Sequence, residues 1–203
     1  MAASAQHAAA ITPDEALRRV MEGNKRFVAR AVKNPRRGEA RLREVETGQH
    51  PIAVILSCSD SRVPPELIFD QGLGDLFVIR VAGNVTDDVV IGSIEYAVEH
   101  LGAPLVMVVG HQNCGAVQAA MNGGEKGNHI HSFVDSIAPL VEEAKKSTAD
   151  PVDACVRLNV NRVVGELRAS EPVLAEAVRA SKLRIVGAYY SLHTGAVSLL
   201  PGR

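Results

Sequence analysis

Ile52-Ala53-Val54-Ile55-Leu56 and Leu105-Val106-Met107-Val108-Val109 decide the fold. Neither run contains a polar residue, and each has the length of a strand rather than of a helix. A strand with one wet face alternates in polarity, so unbroken apolar character means burial on both faces, as in a parallel sheet covered by helices. Working outward, Leu76 to Ile79 and Leu183 to Ala188 supply two more short apolar runs, and helical stretches separate the four. This alternation predicts right-handed β-α-β crossovers. The expected fold is α/β, a mostly parallel central sheet with helices on both faces. His193-Thr194-Gly195 divides Leu183–Ser191 from Ala196–Leu200, which predicts a C-terminal antiparallel edge strand.

With 203 residues, 46% of them hydrophobic, the chain suits one sizeable core, and residues 1–203 read as a single domain. Aromatic residues make up only 3% and tryptophan is absent, which leaves the core to Val, Ile, Leu and Ala. A net charge of -1 gives no electrostatic reason to bind nucleic acid or an anionic membrane. Arg36, Arg37, Arg41 and Arg43 cluster locally and read as a solvated helical face. The apolar runs are interrupted within about ten residues, too soon to span a bilayer. Met1 to Ala10 lacks a basic start followed by an apolar stretch. The expected location is the cytoplasm, or the periplasm if an export signal has been removed.

Thr12-Pro13-Asp14-Glu15 combines a capping residue, a proline at the first helical position and a glutamate that completes a capping box. The helix it starts carries Leu17, Val20, Met21, Phe27 and Val28 near one face. Asn34-Pro35 and Gly38 break that pattern, and a second polar helical piece runs from about Glu39 to Thr47, so residues 12–47 form an N-terminal helical arm. Thr86 is read as the cap of a helix with Val89, Val90, Ile94, Ala97, Val98 and Leu101 on its apolar face, ended by Gly102 and Pro104. Further helices are expected over Ser132 to about Lys146 and from Asp150-Pro151 to Leu167, with Cys155 on the apolar face of the second and therefore in the core.

The chemistry-bearing residues lie where two of the strands end. Cys58 follows the first run directly, and His111 and Cys114 follow the third, at the carboxyl ends where open α/β sheets place their ligands. Two thiolates and one imidazole suit Zn²⁺, and three protein ligands leave a fourth tetrahedral position for water. Asp60 and Arg62 stand two apart, and in an extended segment they project to the same side and pair. A metal already neutralised by two thiolates is a weak Lewis acid, so its water needs help to lose a proton. Asp60 is placed to accept that hydrogen, with Arg62 keeping it charged and oriented.

Cys58-Ser59-Asp60-Ser61-Arg62 followed by Gly110-His111-x-x-Cys114-Gly115 resembles the signature of the β-class carbonic anhydrases. The likeness extends through Val63-Pro64-Pro65-Glu66, Gly74 to Arg80, Ala82-Gly83-Asn84 and Ile94-Glu95-Tyr96-Ala97. It implies Cys58, His111 and Cys114 as zinc ligands and Asp60 with Arg62 as a catalytic dyad. Asp60 becomes the fourth ligand in a closed form. The implied reaction is reversible hydration of carbon dioxide to bicarbonate by zinc-bound hydroxide. Gln49, Phe77 and Tyr96 match substrate-pocket positions, the glutamine reaching across a subunit boundary. The resemblance also implies a homodimer or tetramer, with the 12–47 arm docking its apolar stripe on the partner. Ile55 stands three residues before the first cysteine, where members with a regulatory bicarbonate pocket carry tryptophan, so the expected subtype is plant-like and non-allosteric.

Carbon disulfide or carbonyl sulfide hydrolysis is the alternative on the same scaffold. A metal-free enzyme with Cys58 as nucleophile and His111 as base is a second. A purely structural zinc site, closed at its fourth position, is a third, and Asp60 with Arg62 argues against it. His129 and His131, in a polar glycine-rich stretch, are candidates for proton relay and otherwise surface histidines.

Overall fold

The computed structural model describes residues 11–124, 128–147 and 150–201. The opening residues 1–10, read above for an export signal, lie outside the described residues. The four apolar runs form β1 (Ala53–Ser57), β2 (Leu76–Arg80), β3 (Leu105–His111) and β4 (Arg184–Tyr190). They lie parallel, and β5 (Val197–Leu199) adds antiparallel to β4, giving the order β2-β1-β3-β4-β5. Every residue of β1 and β3 is buried, as unbroken apolar runs require, whereas the edge strand β2 is half-buried along its length.

From β1 the chain crosses to β2 on one side and then returns past it to β3 on the other. The connections therefore diverge at the carboxyl ends of β1 and β3, which opens a crevice there. Ser57 pairs in register with Val109, so Cys58 comes level with Gly110 and His111 at the mouth of that crevice.

The helices are α1 (Pro13–Val28), α2 (Glu39–Val45), α3 (Pro65–Ile68), α4 (Asp88–Glu99), α5 (Gly115–Met121), α6 (His131–Ile137), α7 (Val141–Ala144), α8 (Pro151–Ala169) and α9 (Val173–Arg179). Ala53, Ile55, Met107 and Val109 face a layer containing Ala16, Leu17 and Val20 of α1, together with residues of α5, α6 and α7. Val54, Leu56, Val106 and Val108 face the opposite way, toward α4, α8 and α9. Residue alternation along β1 and β3 thus feeds both layers. Helix α8 packs on β3 and β4 where both carry glycines beneath it. A Cβ on Gly110 would stand 2.6 Å from one methyl of Val160, and a Cβ on Gly187 would stand 2.8 Å from the other. Among the described residues no helix is long and apolar enough to cross a membrane.

Several local expectations change in the folded chain. Thr12 caps α1 by accepting from Glu15 N at 3.2 Å, but the Glu15 carboxylate turns to Arg18 and Arg19 instead of completing the box. Asp87, not Thr86, caps α4, because its extended backbone aims a carboxylate at Val90 N, 2.7 Å away. Thr86 instead donates to Glu166. Val89, assigned to the apolar face, is 77% exposed. The single helix expected over 132–146 is broken into α6, a 3-10 turn at Ala138–Leu140 and α7. Pro139 supplies the break, since it cannot donate within a helix. Cys155 is fully buried on α8, as expected of a core residue.

Of the apolar stripe of α1, Leu17 and Val20 are buried within this chain and Met21 and Phe27 partly so, while Val28 at its end is 39% exposed. The arginines are mostly exposed, as a solvated face would be, but they are not idle. Arg36 pairs with Asp75 at 2.8 Å, Arg37 donates to Gln71 O, and Arg41 donates to Leu73 O, so three of the four pin the arm to the loop before β2. Arg36, Arg37 and Arg43 are all still exposed, and Arg43 pairs only with Glu39 of its own helix. Val28, Val32 and Leu42 are the large apolar residues of the arm left exposed.

Candidate metal centre

The sulfurs of Cys58 and Cys114 and a ring nitrogen of His111 all lie within 4.8 Å of one another. Each arrives there for a structural reason. Cys58 is the first residue after β1, His111 is the last of β3, and Cys114 caps α5, after a tight turn in which Asn113 adopts φ 54°. All three are buried. The His111 Nδ1 lies 2.9 Å from Gln112 O, which assigns the proton to that nitrogen. The lone pair is therefore on Nε2, which is buried and has no hydrogen-bond partner. An orphaned acceptor of this kind is costly unless something fills its place.

The two thiols behave as one acid. With Cys114 donating to it, Cys58 is lowered to about 4, helped by backbone N–H groups against the opposing effect of burial. Cys114 is correspondingly pushed well above the usual thiol range by the neighbouring Cys58 sulfur and by burial. The two sulfurs thus share a proton, the place a cation between them would take.

Asp60 and Arg62 do not pair from an extended segment. They sit in a turn closed by Val63 N donating to Asp60 O, and Arg62 N also donates to Asp60 Oδ1 at 2.9 Å. Within it the guanidinium makes a two-pronged contact, Nε to Oδ1 at 2.8 Å and Nη2 to Oδ2 at 2.6 Å. Arg62 holds the Asp60 carboxyl well below the usual carboxylate range. Asp60 Oδ2 is 4.0 Å from His111 Nε2, so the carboxylate overlooks the triad.

Residues that the sequence did not single out support this loop from beneath. Arg80, at the end of β2, donates to Cys58 O at 3.1 Å and to Asp60 O at 2.6 Å. Its signals in the sequence are a charge closing an otherwise apolar strand and its place at the end of the Gly74 to Arg80 likeness, neither of which gave it a role. Gly83 N donates to Cys58 Sγ at 3.4 Å, and Asn159 of α8 donates to Gly83 O at 2.7 Å.

A family model described as carbonic anhydrase matches residues 53–197, well over half of the chain. Carbonic anhydrase 2 of Mycobacterium tuberculosis is 41% identical over 191 residues, covering 92% of each chain. The β-carbonic anhydrase CafA of Aspergillus fumigatus superposes with a TM-score of 0.73 at 29% identity, covering 91% of this chain and 90% of that one. The chain belongs to the β-class carbonic anhydrases. Tetrameric β-carbonic anhydrases of Sordaria macrospora are similar too, with TM-score 0.72, 28% identity, and coverage of 78% and 85%. The chain is accordingly an enzyme, a lyase, and family, relatives and the Cys-His-Cys cluster together support carbon dioxide hydration. Sulfur analogues of carbon dioxide are not favoured, since these relatives bear the carbonic anhydrase name.

The remaining carbonic anhydrase positions are not gathered at this chain's own triad. Gln49 is exposed before β1 begins, whereas Cys58 follows its end, and a five-residue strand separates their levels. That strand spans about 17 Å. Phe77 packs with the layer of Val54 and Leu56, on the opposite face from Ile55 and Val109, and Tyr96 of α4 is 50% exposed. Their rings lie 6.4 Å apart, and Tyr96 also meets His100 at 5.3 Å. Neither His129 nor His131 hydrogen-bonds to the triad or the dyad. Both are exposed at the start of α6, where the His131 ring meets Asn128 O.

Proposed function

We propose that this enzyme holds zinc on Cys58, His111 and Cys114 and uses it to hydrate carbon dioxide reversibly to bicarbonate and a proton. The carrying observation is a buried cluster in which a His111 ring nitrogen and the two cysteine sulfurs lie within 4.8 Å of one another, with His111 Nε2 left without a hydrogen-bond partner. Two sulfurs and one nitrogen are a donor set that zinc accepts with a fourth position to spare. Bound there, zinc would act as a Lewis acid and bring the ionisation of a coordinated water toward neutrality.

The protein's own groups account for the rest. Asp60 stays ionised because Arg62 grips both its oxygens, and an ionised carboxylate only accepts hydrogen bonds. It therefore orients the proton of the attacking water toward itself and leaves an oxygen lone pair free to form the bond to the carbon of the substrate. The released proton passes to solvent. Arg80 and the turn at Asp60 keep the carboxylate aimed at the triad. Gln49, Phe77 and Tyr96, exposed or on the far face in one chain, fit a role in the cleft of a second copy. Val28, Val32 and Leu42 of the 12–47 arm are the apolar residues that such a copy would cover. A dimer or tetramer agrees with the tetrameric relatives from Sordaria macrospora.

Stopped-flow hydration of carbon dioxide on protein of known zinc content tests the reading. Activity should follow zinc stoichiometry and vanish with Cys58→Ser. Full activity in metal-stripped protein would overturn it in favour of a metal-free cysteine enzyme.

A further inference from the structure

Behind Cys58 runs a chain of hydrogen bonds that leads away from the reacting side of the centre. Gly83 N donates to Cys58 Sγ at 3.4 Å, Asn159 Nδ2 donates to Gly83 O at 2.7 Å, and Arg162 Nη2 donates to Asn159 Oδ1 at 3.0 Å. Arg162 in turn pairs with Glu166, which accepts from Thr86. Asn159 is 1% exposed, and both ends of its amide are engaged. Its target is a strained turn. Gly83 sits at φ 72°, ψ 13°, followed by Asn84 at φ 43°, two successive residues in the left-handed region. A Cβ on Gly83 would also stand 2.8 Å from Ile137 Cδ1 and 3.1 Å from Ala116 Cβ, so glycine is required twice over.

We propose that Asn159 is a positioning residue of the metal centre: by fixing the Gly83 carbonyl it sets the turn that delivers the Gly83 N–H to the Cys58 sulfur. The inference rests on the metal-binding reading given above. An N–H donated to a metal-bound thiolate draws electron density from the sulfur, so the metal is less fully neutralised and polarises water more strongly. Two thiolates weaken a zinc site as a Lewis acid, and this hydrogen bond offsets part of that loss at one of them. Arg62 and Asp60 act on the open side of the centre, while Asn159 acts from behind, through the backbone of Gly83 and without touching substrate.

Asn159→Asp separates this role from packing, because it keeps the shape and the acceptor toward Arg162 but cannot donate to Gly83 O when ionised. Two readouts apply, zinc transfer to a competing chelator and the absorption of the cobalt-substituted protein. Because Cys58 loses the turn that places it, and this outweighs the gain in donor strength of its sulfur, zinc affinity is expected to fall by about tenfold or more. The sulfur-to-cobalt charge-transfer band is expected to move to longer wavelength as the Cys58 thiolate becomes more electron-rich. Should Asn159→Asp not fold, Arg162→Met loosens Asn159 from a partly exposed position and should move the band the same way by a smaller amount. A variant that is merely less heat-stable, with zinc affinity and cobalt band unchanged, overturns the proposal. Wild-type protein giving no thiolate-to-cobalt band at all would instead overturn the metal-binding reading, so the two failures are distinct.

Discussion

Two carboxylate–guanidinium pairs ten positions apart in the chain do opposite work. Asp60 meets Arg62 two residues away, on a turn where the guanidinium side chain is 52% exposed. Asp70 meets Arg26 across 44 residues, with its own side chain inaccessible and with Lys33 N and Asn34 N completing its shell at 3.0 and 2.9 Å. The first pair closes no loop and buries little, so it adds little to stability. Its worth lies in the direction of one carboxylate. The second has no reacting group near it, and it ties the arm to the segment between α3 and β2. The same two functional groups thus serve chemistry or architecture according to what surrounds them.

The comparison breaks most sharply at Asp60. Asp60→Asn should lower kcat/KM for carbon dioxide by about 10²–10⁴, with zinc content and thermal midpoint unchanged. Equal loss of activity and heat stability would mean that the local pair is structural after all. Asp70→Asn should do the reverse. It leaves Arg26 without a counter-charge and one backbone N–H without an acceptor, costing about 2–4 kcal/mol in denaturant unfolding, while activity per folded molecule holds.

Acid titration sharpens the same contrast with a smaller effect. Burial pushes the Asp70 carboxyl up, but Lys33 N–H, Arg26 and Asn34 N–H together outweigh it and leave the group below its ordinary value. A depressed folded value means that the contribution is complete above the unfolded value, about pH 4, and is lost as pH falls through the folded one. The urea midpoint of wild-type protein should therefore decline below about pH 4, and Asp70→Asn should decline less steeply over that span.

What the sequence revealed follows the range of each interaction. Cys58, His111 and Cys114 were legible because each stands just beyond a buried apolar run, and the end of a strand is a place that local patterning locates. Asp60 with Arg62 was legible for the same reason, being neighbours. Asn159 was not, because it lies between Leu158 and Val160 in an ordinary helical pattern and its partner, Gly83, is 76 residues earlier. The three arginines of the arm read as solvated because nothing nearby in the chain announces Asp75 or the carbonyls of Gln71 and Leu73. A stripe such as Leu17, Val20 and Met21 shows that a surface must be covered, yet not whether the cover is this chain or another. Pro139 was in plain view, and its break in the 132–146 helix was a matter of backbone chemistry overlooked for the sake of periodicity.

Val160 straddles Gly110 and Gly187, one methyl seated over each bare backbone. Those two notches in neighbouring strands act as a mechanical stop. They set the depth and the rotation of α8, and so decide where the next residue toward its N-terminus, Asn159, presents its amide. Calibration of the reactive end of the molecule is thereby delegated to two residues that have no side chain at all. A single added methyl at Gly187 would lift the helix and mistune the cysteine without altering one polar group.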